Sequence, residues 1–298
     1  MDPLKPSIVS LGEVLWDLFP EGARFGGAPA NFACHAAALG ADVSIVSAVG
    51  DDSRGREAIE ILRAHGIDVT LIRSTADAPT GTVGVSLDAK GKPTFTIHEG
   101  SAWDGISWMP QLESRIHGAT AVYFGTLGQR AEVSRTTIRR ALEIAKTSGT
   151  ARILDVNLRP PFFDNALIRE SVALASVLKL SDDELAAVAT ACEMDSADRS
   201  DKTLRAILER FNLDLVVMTR GAEGAILVSS AEVVDQPGIP TRVQDTVGAG
   251  DAFTAVLVTG LLRGDPLGRI ARNACETAAA VCAQAGAVPP LPRGIGDR

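Results

Sequence analysis

The feature that most constrains the fold is the regular alternation of short apolar runs with stretches of helical spacing. The apolar runs are rich in Val, Ile and Leu, as strands buried on both faces require. They lie at residues 8–15, 43–49, 121–124, 152–156, 177–180 and 214–219. Strands that alternate with helices predict an α/β fold with a central, mostly parallel sheet between two helical layers.

Predicted helices lie between most of these strands, at residues 30–39, 54–65, 131–148 and 182–192. Gly40, Gly66 and Gly149 directly follow the first three. Glycine ends helices because it adopts the left-handed conformation at little cost. The glycines therefore support these three helix ends.

Two segments depart from the alternation and predict β-hairpins. Residues 81–87 and 93–98 flank a polar connection that contains glycine, and their alternating pattern indicates one covered and one wet face. Residues 225–228 and 232–235 predict a second hairpin. Because no internal repeat or low-complexity linker interrupts the chain, we expect a single domain over residues 1–298 that carries a small β-flap.

The charge balance excludes polyanionic partners. The chain has 29 Lys and Arg against 37 Asp and Glu, a net charge of −8, and no basic run. Nucleic acids and anionic membranes are bound mainly through clustered positive charge. The N-terminus lacks a basic-then-apolar leader pattern, and the longest apolar run, at 253–262, is far shorter than the ~20 residues that span a bilayer. We therefore expect a cytoplasmic protein that binds neither nucleic acid nor membrane.

The most informative motif is Asp-Thr-Val-Gly-Ala-Gly-Asp at residues 245–251, directly before an apolar helix at 252–262. Small residues leave the first N–H groups of a helix uncovered, and the helix dipole adds partial positive charge. Gly248, Ala249 and Gly250 therefore predict an anion hole. Backbone amides hold phosphate without basic side chains, so an acidic chain can still bind a phosphate ligand.

Asp251, the last residue of this motif, has two interpretations. It is either the N-cap of the helix, for which aspartate is well suited, or a base that accepts the proton of an attacking hydroxyl while the amides stabilise a transferred phosphoryl group. A carboxylate at a helix N-terminus is a weak base. A loose phosphoryl-transfer transition state, however, needs little deprotonation of the nucleophile. The local sequence leaves both interpretations open.

A second motif, Gly-Gly-Ala-Pro-Ala-Asn, occupies residues 26–31, ahead of the first helix. Gly26 and Gly27 let a ligand approach the backbone closely, and Asn31 offers a donor and acceptors that suit neutral hydroxyls. Asp17, which follows the first strand, can accept hydrogen bonds from two hydroxyls. A tight turn with an asparagine cap explains these residues equally well.

Together, and in this order, the two motifs resemble the paired signatures of the ribokinase-like carbohydrate kinases, the PfkB family. The resemblance extends along nearly the whole chain, through residues 49–55, 155–159 and 219–224. It implies a ribokinase-like fold in which about residues 14–27 and 81–100 form a small β-sheet lid over a sugar. It also implies transfer of phosphate from ATP, with Mg²⁺, to a sugar hydroxyl.

The resemblance implies roles for individual residues. It makes Asp251 the catalytic base and Gly248, Ala249 and Gly250 the anion hole. The implied sugar site consists of Asp17, Gly26, Gly27, Asn31 and Arg159. The implied nucleotide site consists of Lys179, Thr219, Gly221, Gly224 and Asn273.

The resemblance also implies metal positions. Family members often carry an Asn-x-x-Glu motif linked to magnesium and phosphate, and the matching residues are Ser-Asp-Asp-Glu at 181–184. Glu184 would act on Mg²⁺ through water, although Ser181 with Glu184 also forms a good capping box. Asp245 and the carbonyl of Val247 match positions that hold K⁺ in some members.

The predicted substrate is D-fructose. Ribokinases commonly carry lysine after the two glycines, where this chain has Ala28, and the surrounding motif resembles the fructokinase branch. Arg159 leaves open a carboxylated sugar such as 2-keto-3-deoxygluconate, because a guanidinium can clamp a carboxylate bidentately. Another sugar or nucleoside of the family is a further alternative.

A non-catalytic sugar-binding regulator is the alternative from another functional class. The intact Asp251 and the anion-hole glycines argue against it. We also expect a homodimer through the lid, because the exposed face of a small sheet can pair with a second copy.

Overall fold

The computed structural model describes residues 5–87, 93–194 and 201–291, and it places most of the predicted strands in one large sheet. The strands are β1 (Ser7–Leu11), β2 (Leu15–Phe19), β3 (Gly22–Gly26), β4 (Asp42–Gly50), β5 (Ile72–Thr75), β6 (Gly81–Leu87), β7 (Pro93–Ile97), β8 (Ala121–Gly125), β9 (Ala151–Asp155), β10 (Val177–Ser181), β11 (Leu215–Thr219), β12 (Ala225–Ser229) and β13 (Val233–Gln236). The large sheet has the order β13-β12-β11-β10-β9-β8-β1-β4-β5. It is parallel from β5 to β11, whereas β12 and β13 are antiparallel, as the second predicted hairpin requires.

Helices cover both faces of this sheet. They are α1 (Ala28–Ala38), α2 (Ser53–Ala64), α3 (Pro110–His117), α4 (Glu132–Thr147), α5 (Asn165–Leu174), α6 (Asp182–Ala191), α7 (Asp201–Phe211), α8 (Ala249–Arg263) and α9 (Leu267–Cys282). Along β1, Ile8 belongs to the apolar cluster that includes α1, α2, α8 and α9, whereas Val9 belongs to the cluster on the other face, which includes α3 to α7. The three-layer α/β prediction is therefore confirmed, and the four predicted helices begin and end within two residues of the expected positions.

A separate four-stranded sheet has the order β3-β2-β6-β7 and lies within the two ranges expected for the lid. Strands β6 and β7 form the predicted antiparallel hairpin. The connection at residues 88–92 lies outside the described residues.

One strand prediction is wrong in its extent. The apolar run at 8–15 is not one strand, because the chain leaves the large sheet after β1 and enters the small sheet at β2. Gly12 lies at this break with φ 143°, and a Cβ there would lie 2.7 Å from Cγ of Pro29. The chain therefore leaves the large sheet at Gly12, where Pro29 at the entrance of α1 leaves no room for a side chain. In the described part of the chain, no helix is long and apolar enough to span a membrane.

Candidate active site

The candidate site lies where the carboxyl ends of the parallel strands meet the first turn of α8. Strand β9 ends at Asp155, and β10 ends at Ser181. The Thr254 hydroxyl on α8 donates a hydrogen bond of 3.2 Å to Oδ2 of Asp155. In parallel α/β sheets the carboxyl edge is where ligands bind, and the tie to α8 brings a helix N-terminus to that edge.

The start of α8 has the geometry of an anion hole. Gly248 is the N-cap with φ 80°, and a Cβ there would lie 2.0 Å from the carbonyl oxygen of Ala287. Only glycine fits this left-handed, crowded position. The first amides of a helix lack intrahelical acceptors, so the turn that Gly248 permits presents the amides of Gly250 and Asp251 to a ligand.

Asp251 is the third residue of α8, so its interpretation as the N-cap is wrong. Its carboxylate accepts a hydrogen bond of 2.8 Å at Oδ2 from Nδ2 of Asn31, near the start of α1. Burial raises the pKa of Asp251 to about 7, with a further upward contribution from the Asp155 carboxylate. Asn31, Lys179 and Arg159 act in the opposite direction. The structure therefore makes this carboxylate a stronger base than an ordinary aspartate.

Asp155 and Lys179 form a buried ion pair beneath Asp251. The two residues are register partners on β9 and β10, and the Nζ atom of Lys179 lies 3.0 Å and 3.1 Å from the two carboxylate oxygens. Burial raises the pKa of Asp155. Burial also acts to lower the pKa of Lys179, but the Asp155 charge and other nearby acids raise it above its ordinary value.

The residues predicted for the sugar are close together on the lid side. A Cβ on Gly26 would lie 2.7 Å from Oδ2 of Asp17, so the Asp17 carboxylate lies across Gly26. Gly27 has φ 106°, and a Cβ there would lie 2.5 Å from the carbonyl oxygen of Glu13. Burial raises the pKa of Asp17 to about 6, while Arg159 and Arg24 act to lower it. Arg159 is exposed, and its charge reaches the Asp17 carboxylate.

Sequence reasoning missed two buried groups beside this pocket. Burial raises the pKa of Glu13 to about 7, although its carboxylate accepts hydrogen bonds from its own amide and that of Ala28. The hydroxyl of Tyr123 is buried without a hydrogen-bond partner in the described structure, and its ring stacks on Phe32 at 4.0 Å. A glutamate at the end of an apolar strand was a signal for the first group. Nothing local distinguished the second.

The residues predicted for the nucleotide lie on separate elements of the fold. Thr219 ends β11, and Gly221 and Gly224 lie in the turn that follows it, with φ 53° and φ 93°. Asn273 lies on α9, where its carbonyl accepts a hydrogen bond of 2.7 Å from Thr277. No described hydrogen bond or ion pair joins Asn273 to the turn. The Nζ atom of Lys179, in contrast, lies 3.4 Å from the position of a Cβ on Gly250.

Glu184, predicted for magnesium, is engaged by the backbone. Its Oε1 atom accepts a hydrogen bond of 2.6 Å from the amide of Leu158. Its Oε2 atom accepts a hydrogen bond of 2.8 Å from the amide of Ser181. The capping box of Ser181 with Glu184 is present at the start of α6. Glu184 therefore joins the loop after β9 to the start of α6.

Asp245, predicted for potassium, is also engaged. Its Oδ1 atom accepts a hydrogen bond of 3.1 Å from the amide of Val247. Its Oδ2 atom accepts a hydrogen bond of 3.1 Å from the amide of Gly286 and one of 3.4 Å from the guanidinium of Arg24 on β3. A guanidinium from the small sheet already supplies positive charge at this carboxylate.

Comparison with known proteins relates this geometry to one family. The pfkB family carbohydrate kinase model matches residues 21–293. A fructokinase from Klebsiella pneumoniae is 33% identical over 261 residues, which cover 84% of this chain and 83% of that protein. An aminoimidazole riboside kinase from Salmonella typhimurium is 30% identical over 267 residues, which cover 86% and 81%. A fructokinase structure from Vibrio cholerae, in its fructose, ADP and calcium ion bound form, has a TM-score of 0.81 at 25% identity and covers 96% of both chains.

This architecture is that of a ribokinase-like phosphotransferase, with a large sheet, a separate small sheet and the N-terminus of α8 at the candidate site. The chain belongs to the pfkB family of carbohydrate kinases. The family expectation drawn from the two motifs is confirmed.

We predict that Gly248→Ala damages the anion hole. Both left-handed strain and the clash with Ala287 should displace the first turn of α8, so turnover should fall about 100-fold, the typical cost of one lost oxyanion donor. Gly264→Ala is the matched control, because Gly264 ends the same helix with φ 75° and has no atom within 4 Å of its Cβ position. Steady-state kinetics and thermal melting of both variants test the prediction. Equal losses in turnover would contradict it.

We predict that Asp251→Asn is more stable than the wild type above pH 7. The folded-state pKa of Asp251 is about 7, well above its ordinary value, so ionisation increasingly disfavours the fold as the pH rises toward 7. The neutral asparagine avoids this cost. Its advantage should grow between pH 5 and pH 7, approach about 4 kcal/mol and stay constant at higher pH. Urea unfolding from pH 5 to pH 8 measures it, and a pH-independent difference would contradict the raised pKa.

Proposed function

We propose that this chain is an ATP-dependent fructokinase. The observation that carries the proposal is the hydrogen bond between Asn31 and Asp251, which brings a hydroxyl-binding amide and a carboxylate of raised pKa to the N-terminus of α8. The fructokinases from Klebsiella pneumoniae and Vibrio cholerae, which share sequence and fold with nearly the whole chain, support fructose as the sugar.

The chemistry follows from this placement. A sugar hydroxyl held by Asp17 and Asn31 attacks the γ-phosphorus of ATP, and its proton passes to the Asp251 carboxylate. A new phosphorus–oxygen bond forms to the sugar while the bond to the β-phosphate oxygen of ADP breaks. The amides at the start of α8 stabilise the negative charge of the transferred group. Because the transition state is loose, positioning contributes most of the rate enhancement.

The residues beyond the reacting atoms support this reaction in our proposal. Thr219, Gly221 and Gly224 border the nucleotide, with Asn273 near the adenine. Lys179 donates two hydrogens of its ammonium to Asp155 and keeps a third for phosphate beside Gly250. The small sheet closes over the sugar as a lid and excludes water, so phosphate passes to the sugar rather than to solvent.

Magnesium fits the chemistry of this site. Mg²⁺ in kinases is typically held by phosphates, waters and one or two carboxylates rather than by a protein cage. Within the described ranges, no group of three or more His, Cys, Asp or Glu forms such a cage. Glu184 would contact the ion through water while its oxygens keep their backbone partners. When bound to ATP, the ion neutralises charge on the phosphates.

Potassium fits less well at the predicted position. Both oxygens of Asp245 already accept hydrogen bonds, and the Arg24 guanidinium would repel a second cation there. We therefore assign no step to K⁺.

Arg159 favours a neutral sugar in our proposal. Its charge acts to lower the pKa values of Glu13, Asp17 and Asp251, so three nearby acids partly offset its positive charge. A cation already balanced by acids is poorly placed to clamp a carboxylate. This balance supports fructose over 2-keto-3-deoxygluconate. A homodimer through the small sheet stays a prediction, which sedimentation of the purified chain would test.

We predict that a coupled ADP-release assay ranks fructose first among fructose, ribose, tagatose, adenosine and 2-keto-3-deoxygluconate. Asp251→Asn should lose most of kcat, by about 100-fold or more, while ATP binding measured by calorimetry stays nearly unchanged. A higher kcat/KM for another substrate would overturn the fructose assignment. Near wild-type turnover of Asp251→Asn would overturn the proposed base, and binding of fructose without any ADP release would favour the sugar-binding regulator.

A further inference from the structure

The ion pair of Asp155 and Lys179 is unusual for its place in the sheet. The two residues stand side by side on β9 and β10, and both side chains are buried. Removing two charges from water is costly, and an apolar pair of similar volume packs a sheet at least as well. A buried ion pair at the carboxyl edge of the sheet therefore calls for a role other than packing.

The pair is physically joined to the first turn of α8. The Thr254 hydroxyl lies within hydrogen-bond distance of two acceptors, Oδ2 of Asp155 at 3.2 Å and the carbonyl oxygen of Gly250 at 2.8 Å. On the other side, the Nζ atom of Lys179 lies 3.4 Å from the Cβ position of Gly250. The end of β9 is thus hydrogen-bonded to α8 through Thr254, and the Lys179 ammonium lies close to the backbone of Gly250, one residue before Asp251.

The pair also places two opposite charges near the Asp251 carboxylate. Asp155 raises the pKa of Asp251 and Lys179 lowers it, with Asp155 the stronger of the two. The other groups that act on Asp251 come from different elements. Asn31 on α1 and Arg159 after β9 favour its ionised form, and Glu13 after β1 is a third nearby acid, coupled to Asp251 through charge.

We propose that Asp155 and Lys179 form a positioning pair that holds the first turn of α8 in place and sets the charge balance beside Asp251. The inference rests on the proposed function, in which Asp251 accepts the hydroxyl proton. Neither residue needs to touch the sugar for this effect. Asp155 makes Asp251 a better base near neutral pH, and Lys179 prevents the two carboxylates from repelling one another without compensation.

The test is the pH dependence of kcat/KM for ADP release in four variants. The acidic limb is the low-pH side of this profile, where kcat/KM falls as Asp251 becomes protonated. Asp155→Asn removes the negative charge that raises the pKa of Asp251, so the acidic limb should move to lower pH by about one unit. Lys179→Met leaves Asp155 uncompensated, so the limb should move to higher pH. Asp155→Asn with Lys179→Met removes both charges and should return the limb to within about half a unit of the wild type.

Thr254→Val tests the position of the first turn of α8 separately from the charges beside Asp251. It removes the hydroxyl between Asp155 and Gly250 but leaves every charge in place, so kcat should fall without movement of the acidic limb. Thermal melting monitors folding throughout. If the uncompensated carboxylate prevents Lys179→Met from folding, Asp155→Asn and the double variant carry the comparison, since Lys179 keeps Glu184 and Asp251 as acidic neighbours in the first and the second contains no unpaired charge.

Two results would overturn the inference. Acidic limbs that coincide in all the folded charge variants, whatever their kcat, would show that the pair only packs the sheet. A shift in the double variant as large as in Asp155→Asn would show that Lys179 has no compensating effect. Failure of the proposed function has a different signature, because Asp251→Asn would then retain both its turnover and its acidic limb.

Discussion

The hydrogen bond from Asn31 to Asp251 joins two halves of the chain that are 220 residues apart in sequence. Asn31 belongs to the first turn of α1, which begins beside the small sheet. Asp251 belongs to the first turn of α8, which begins at the anion hole. The two helices lie on the same face of the large sheet. A sugar hydroxyl bound beside Asn31 is therefore brought to the helix N-terminus at which phosphate is expected to bind.

The charge of the chain is compatible with a phosphate ligand because the local groups differ from the average. A net charge of −8 disfavours polyanions, but the amides at the start of α8 and the ammonium of Lys179 supply donors at one edge of the sheet. Acids cluster there too, and burial holds the pKa values of Glu13 and Asp251 at about 7. The site therefore combines phosphate donors with carboxylates that can take up a proton near neutral pH.

Local sequence predicted much of this arrangement and missed what depends on three-dimensional pairing. Strand and helix periodicity was sufficient for the three-layer fold, because buried parallel strands and their covering helices have distinct patterns. The helix start after Gly248 was predictable because small residues directly precede a long apolar run, whereas its role as an anion hole stays a prediction. The split of the run at 8–15 was not predictable, since the contact with Pro29 that breaks it comes from a later segment.

The charged residues show the same limit. Asp155 and Lys179 each interrupt an apolar strand, but only the register of β9 with β10 makes them partners. Glu184 and Asp245 matched positions implied for metals, and the fold gives their oxygens backbone partners, of which the capping box specified only the Ser181 amide. Local patterns thus indicate which residues are unusual, whereas the tertiary structure decides what each one contacts.

The fold makes Asp251 a base that titrates near neutral pH. Carbon-13 NMR of the Asp251 side-chain carboxyl, assigned by its loss in Asp251→Asn, measures this titration in the free protein. We expect a midpoint of about 7. A midpoint near 4, the ordinary value for an aspartate, would contradict it.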